Sequence, residues 1–234
     1  MGKPRIGLMT FGDEREYMWD GYFGPLTQPR HEEAREYLSG LPLELIAFDE
    51  VARSRDLIEQ QIQALQAAGA EALFAHTPCW CTPNLSSGAI QRLGLPAVVM
   101  TSTSAATHGM VGMLATAGTL SQVGVDHIRV RDDFGAPVFE DKVLPFFRAA
   151  SARARLRGRR MGLFGGRSLG IDTGTFDPMQ SRSQFGIDVQ HVDQLEIIRR
   201  AELIDADRVA KMMDWAVEQF ASIAFDEGKL TAER

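Results

Sequence analysis

Cysteine is nearly absent from this chain: Cys79 and Cys81 are the only two, and a single residue separates them. Two thiols so close suit a reducing compartment and make no disulfide framework, because a bridge across one residue is strained. Positive charge is also short, with 25 Lys and Arg against 31 Asp and Glu and a net charge of -6, which argues against nucleic acid as a partner. No apolar run approaches the roughly 18 residues that span a bilayer, and no signal-type apolar stretch follows the charged start. The expectation is a cytoplasmic protein. Two phosphate fingerprints are missing as well. No Gly-x-Gly-x-x-Gly occurs, and the turn that begins at Gly165 reaches Gly170-Ile171-Asp172 without the lysine of a Walker loop.

What is present is the composition of an ordinary globular protein, 44% hydrophobic and 24% charged over 234 residues, enough for a well-buried core. Short apolar runs alternate with helical patterns. Strands are expected at residues 4–11, 43–48, 72–76, 97–100 and 127–130, and helices at about 29–38, 54–68, 85–93, 106–122 and 139–155. That alternation predicts an α/β fold in which residues 1–157 form a flavodoxin-like, doubly wound parallel sheet. Residues 17–28, with Trp19, Tyr22 and Phe23 among glycines, read as a packed loop. The arginines Arg153, Arg155, Arg157, Arg159 and Arg160 read as a solvated or subunit-contacting linker.

A second α/β unit, 158–234, is expected to hold strands at 161–164 and 187–192, helices near 194–201 and 206–220, and a fresh helix cap at Thr231. Two strands and two helices do not close a sheet domain, so this unit reads as incomplete, needing further sequence or a partner chain. Met212, Met213, Trp215 and Phe220 would otherwise meet water.

The chemistry-bearing residues gather after strands. Gly165, Gly166, Gly170 and Gly174 leave backbone open to close approach, with Arg167, Ser168 and Asp172 among them, and Asp193-Gln194 follows the next strand at a strand-to-helix junction. Arg15 sits in a polar cluster after the first strand. After the third, prolines bracket Cys79-Trp80-Cys81, where an exposed Trp80 indole would be a flat apolar plate for the CH face of a sugar. His76, Cys79 and Cys81 give at best three metal donors, without zinc spacing. His108 faces the same edge in this reading, as a structural histidine. Asp172, Asp177, Asp193 and Glu196 lie near the glycine loop without assigned roles.

Taken together, Gly165-Gly166-Arg167-Ser168-Leu169-Gly170, Gln184-Phe185-Gly186-Ile187-Asp188-Val189, Asp193-Gln194-Leu195-Glu196-Ile197-Ile198 and Pro78-Cys79-Trp80-Cys81 resemble the amino-terminal and central regions of the L-fucose isomerase family, itself related to L-arabinose isomerases. The resemblance implies aldose-ketose isomerisation through an enediol, a divalent metal, usually Mn2+, bridging two sugar oxygens, and a longer three-domain chain assembled as a trimer or hexamer. It implies that Trp80, and less closely Arg15, line a neighbour's sugar pocket. It also implies that the metal ligands, a glutamate, an aspartate and a histidine, lie in family regions beyond this chain. The leading expectation is thus a component of a metal-dependent isomerase that works with a metal-bearing region or second chain. Beside it stand a non-catalytic sugar-binding or assembly module on the same scaffold and, third, a cofactor-independent racemase using Cys79.

Overall fold

In the computed structural model, which describes residues 2–167 and 169–222, the first strand β1 (Arg5–Thr10) buries alternate apolar side chains on both of its faces. Ile6 and Leu8 point to one apolar layer, Met9 and Phe11 to the other. After β1 come α1 (Glu16–Met18), a π-helical turn over Trp19–Phe23 and α2 (Gly24–Ser39). Next are β2 (Glu44–Ile46), α3 (Arg55–Ala67), β3 (Ala72–His76), α4 (Pro83–Leu93), β4 (Ala97–Thr101), α5 (Gly109–Gln122), β5 (His127–Arg131) and α6 (Leu144–Leu156). All five strands pair in parallel in the order β2-β1-β3-β4-β5.

Leu73, Ala75 and Val99 pack with Ile58, Ile62, Leu65, Ile90, Met113 and Leu120 from α3, α4 and α5. On the opposite face Phe74, Val98 and Met100 meet Ala34, Leu38, Phe147 and Ala150 from α2 and α6. Helices on both faces explain why β3 and β4 are buried at every position, and apolar at all but their last, rather than at every second one. The doubly wound sheet expected over 1–157 is therefore present. Its order reverses direction between β1 and β3, and the carboxyl ends of that pair border the crevice where such sheets take ligands.

Two expectations about the first unit are corrected. Residues 17–28 are helical, not a loop. The wide turn closes through the Gly24 amide on the Trp19 carbonyl, and a Cβ at Gly24 would sit 2.7 Å from that oxygen, so glycine is what lets α2 begin there. The arginine run is a linker only at residues 157–159, which are exposed where the first unit ends and the second begins; its first members are fixed in the first unit. Arg155 donates to the buried Glu71 carboxylate at 2.9 Å and to the carbonyls of Gly2 and Lys3, and Arg153 pairs with Asp126 at 2.6 Å. Glu71 also accepts from the Arg5 amide at 3.0 Å and from Ser151 Oγ at 2.6 Å, so a buried charge fastens the start of β1, the start of β3 and the end of α6.

A second unit begins at Gly158. It holds β6 (Arg160–Phe164), α7 (Pro178–Phe185), β7 (Asp188–Val192), α8 (Gln194–Glu202) and α9 (Ala206–Gln219), with β6 and β7 parallel. The crossover helix α7 is additional to the expected pattern. None of its described residues is buried. The cap expected at Thr231 lies outside the described residues.

Candidate functional site

Thr10 and His76 lie opposite each other where β1 and β3 end. Around them the edge carries buried polar side chains that the apolar pattern of the strands does not announce. Thr10 Oγ1 lies 2.8 Å from His31 Nδ1 and 3.4 Å from His76 Nδ1, and His31 Nε2 donates to the Phe48 carbonyl at 3.0 Å. Since Nε2 must carry the proton, a neutral His31 accepts the Thr10 hydroxyl proton on Nδ1. Burial holds His31 below its ordinary range, and it pulls His76 down to about 3, helped by the repulsion that two protonated imidazoles would meet and by the charge of Arg30. The two imidazoles are thus a neutral, hydrogen-bonded brace beneath the edge.

Beyond β1 the fully buried Asp13 accepts from the Arg15 amide and from Arg15 Nε, both at 2.9 Å, and from Nη2. The guanidinium holds the Asp13 carboxyl below the usual carboxylate range, and Asp13 in turn raises Arg15. The arginine side chain stays 46% exposed, so its plane is fixed on Asp13 while part of it remains open, with the Tyr17 ring centroid 6.0 Å from the guanidinium carbon. Across the strand pair, Trp80 donates its backbone N–H to the Thr107 carbonyl at 3.0 Å, and its ring packs with Trp19, Phe23, Val51 and Cys79. It is half-buried. The expected exposed plate is corrected to a half-buried ring packed against that cluster. Tyr22 of the π turn donates to the Ala106 carbonyl at 3.0 Å, tying the loops after β1 and β4 together.

Gly109 opens α5 under strict steric demand. A Cβ there would lie 2.3 Å from Thr101 Oγ1, 2.6 Å from the Thr77 carbonyl and 2.7 Å from that of Pro78. Thr101 donates to Thr77 O at 2.8 Å and Thr77 to Met100 O at 3.1 Å, so this knot holds the Trp80 loop in place. His108, in left-handed conformation at the cap of α5, is exposed at the same edge, bridged to Cys79. Beside Trp19, a cavity of about 600 Å3 is lined by Glu14, Glu16, Asp49 and Glu50, with Arg53 over the indole at 5.1 Å from the ring centroid. Its acidic wall disfavours anions.

The second unit uses its expected site residues differently. Asp193 accepts the Leu195 amide at 2.8 Å and so caps α8. Gln194 lies over Gly165, where a Cβ would come within 2.4 Å of its Nε2. Arg167 pairs with Asp172 and donates to the Gly170 carbonyl at 3.3 Å. Ser168 lies outside the described residues. Asp193, Gln194 and Gly165 are thus brought together, while Arg167 is turned into its own loop, and Arg15 with Trp80 belongs to the first unit. Sequence reasoning passed over Asp13, Thr10 and His31. Only Asp13, two residues before Arg15 at a strand end, carries a signal that could have been read.

Among the described residues no group of three or more His, Cys, Asp and Glu side chains is placed to hold a metal ion. Asp13 is taken up by Arg15 and both ring nitrogens of His31 by Thr10 and Phe48, so the manganese that the resemblance implies does not fit the donors present. Both thiols are fully buried. Burial pushes Cys79 up and Cys81 up to about 11, which disfavours the thiolate base that a racemase needs. No helix among the described residues is long and apolar enough to cross a membrane.

The family model for the first N-terminal domain of L-fucose isomerase matches residues 3–158. An L-fucose isomerase of Phocaeicola vulgatus is 29% identical over 190 residues, covering 75% of this chain and 31% of the relative. One from Klebsiella pneumoniae is 30% identical over 155 residues, 62% of this chain and 26% of the relative, and one from Escherichia coli 29% over 157 residues. The chain therefore spans about a third or less of the length of these curated relatives. Among solved structures, a periplasmic sugar-binding protein from Legionella pneumophila covers 82% of this chain at 11% identity and a TM-score of 0.23, too slight to carry an argument. Through residues 3–158, which make up the five-stranded unit and its Arg15–Trp80 edge, the chain belongs to the L-fucose isomerase family.

Proposed function

We propose that this chain is the substrate-lining and subunit-associating part of an aldose-ketose isomerase that acts on L-fucose or a sugar of like shape. The observation that carries the reading is the match of residues 3–158 to that family's first N-terminal domain, whose extent coincides with the five-stranded unit. Arg15 supplies fixed N–H donors for sugar hydroxyls and Trp80 a partly open apolar face for the ring. The enediol chemistry and its divalent metal belong, in this reading, to residues other than those described, on the same polypeptide or on a partner chain. Copies of the chain assemble as a homo-oligomer.

The test has two parts. L-fucose is titrated into the purified chain while tryptophan fluorescence is followed, and L-fuculose formation is assayed with Mn2+ for the chain alone and for the chain joined to the central and carboxy-terminal regions of a relative. Expected are a saturable response that Trp80→Phe and Arg15→Ala weaken, no turnover alone, and turnover when joined. A saturable response with no turnover in either form would leave a sugar-binding or assembly module, the second reading, favoured by the lack of a donor cluster among the described residues. No response and no turnover would overturn both.

A further inference from the structure

The hydrogen-bonded brace beneath the carboxyl edge can run in one direction only. The Phe48 carbonyl accepts, so His31 Nε2 carries the proton and Nδ1 is bare, and Thr10 spends its hydroxyl proton on that Nδ1. Thr10 Oγ1 can then only accept from the second imidazole. His76 therefore carries its proton on Nδ1, 3.4 Å from Thr10 Oγ1, and its Nε2 is left as a lone pair. No described residue donates to that nitrogen. His76 is only 2% exposed, and a buried acceptor is as a rule matched. Among the described residues the unpartnered side-chain atoms that are wholly sealed are Thr27 Oγ1, Gln61 Oε1, Ser102 Oγ and Thr107 Oγ1. His76 Nε2 is not one of them, so it is unmatched and still within reach of a small molecule.

The groups around this imidazole come from other elements. Phe134, in the connection after β5, sets its ring at 69° to the imidazole with the centroids 5.5 Å apart, an apolar wall that brings no polar donor. Arg30 of α2 acts through its charge on His76, Cys79 and Asp133, so its guanidinium hangs over the same strand ends. Its ion pair to Glu33, at 3.9 Å, is too long for a hydrogen bond. Asp133, next to Phe134, accepts from the Thr103 amide at 3.2 Å and from the Thr103 hydroxyl, and it is exposed. Arg30 and Asp133 thus attract one another without closing an ion pair. A donor, a carboxylate and a bare lone pair at one edge suit a neutral molecule with several hydroxyls, each of which donates and accepts at once. An anion would meet Asp133 there, and a cation Arg30.

We propose that the crevice over His76 is a subsite for a hydroxylated small molecule, one of whose hydroxyls donates to His76 Nε2. The inference rests on the reading above in taking that molecule to be the sugar that Arg15 and Trp80 line, since Thr10 and His76 end the two strands from which those residues' loops depart. His76 is then a specificity-determining residue. A sugar that lacks the hydroxyl in question leaves the lone pair unmatched, and the crevice discriminates against it. The brace acquires a purpose as well: His31 and Thr10 hold His76 in the one tautomer that accepts.

The experiment is nitrogen NMR of the 234-residue chain labelled with 15N-histidine, with the His76 signals assigned by their loss in His76→Asn, and L-fucose as the probe. In the free chain His76 Nδ1 is expected to carry the proton and Nε2 to give the signal of a bare nitrogen. Added L-fucose is expected to move the Nε2 signal saturably, at the concentrations that change tryptophan fluorescence. His76→Asn keeps an amide for Thr10 and deletes Nε2, and binding is expected to weaken about tenfold. One monodeoxy analogue of L-fucose is expected to bind the wild type about tenfold more weakly than L-fucose and His76→Asn equally, whereas mere disturbance of the fold would weaken both sugars alike in the variant. A proton on Nε2 in the free chain, or an Nε2 signal that stands still while the fluorescence saturates, overturns the subsite and leaves the sugar reading of Arg15 and Trp80 in place. No saturable response by either measurement overturns both. The wild-type spectra decide the matter even if His76→Asn fails to fold.

Discussion

The two units hold comparable inventories of polar side chains near strand ends and use them in opposite ways. In the first, Asp13, Glu71, His31 and His76 are drawn under the surface, each already matched to a partner, and what reaches the outside is a residue they position: Arg15 on Asp13, the Trp80 loop on the Gly109 knot. In the second, Asp177 and Asp193 cap helices, Arg167 closes on Asp172, and all of them stay exposed. A site needs depth behind it, because only a desolvated partner holds a side chain in one orientation. The glycine-rich loop of the second unit has the look of a binding loop without that backing, whereas the plainer first edge has it.

The sharpest way to break this comparison is steric. Gly109→Val is expected to lower stability by about 3 kcal/mol, since the new carbons meet Thr101 and two backbone carbonyls, while Gly165→Ala loses only about 1 kcal/mol for its positive φ, because the Gln194 side chain can swing aside. Urea midpoints of the two variants measure the difference, and equal losses would abolish the contrast. Next comes Glu71→Ala, which strands Arg155, Ser151 and the Arg5 amide. About 2 kcal/mol is expected by the same measurement, less than for a wholly buried pair because Arg155 is 37% exposed.

The third prediction concerns pH. The folded chain keeps His31 and His76 below their usual range, His76 at about 3, so the unfolded chain takes up protons below about pH 6.5 that the folded chain refuses. Stability is therefore full above about pH 6.5 and falls as pH drops below it, by up to about 1.4 kcal/mol per pH unit from His76 down to about pH 3, with His31 adding to the upper part of the fall. Urea titrations at pH 7, 6, 5 and 4 should show this slope, and His76→Gln should flatten it. The smallest effect belongs to the second unit: Asp193→Ala removes the α8 cap for about 1 kcal/mol, visible as faster amide exchange at Leu195 with the first unit unchanged.

How much of this could be read from the residues alone depends on where hydropathy follows burial. β3 stands out as an unbroken apolar run after Glu71 and ends as expected at His76, because both of its faces are covered. The beginning of α2 does not. Its inward face is Gly24, Thr27, His31, Ala34 and Leu38, a perfect helical spacing built of small and polar residues, so the period is there and the hydropathy is not. α7 hides for a related reason, since between Met179 and Phe185 the segment Pro178–Phe185 is wholly polar, and it buries nothing. Arg15 and Trp80 could be picked out because each follows a strand. The brace of His76, Thr10 and His31 could not, because it joins residues 21 and 66 positions apart that share no local pattern.

The strand order also sets a timetable for synthesis. β1 lies between β2 and β3, so a nascent chain can pair β1 with β2 early, but Thr10 meets His76 only when some 66 further residues have cleared the ribosome. Until then the apolar face of β1 has one free edge and Asp13 has no crevice around it. Distant pairing of this kind slows folding. The same central placement that gives Arg15 its rigid backing therefore makes this edge a late structure in the life of the molecule, and a waiting chain is the stage at which a chaperone or an aggregate would find it.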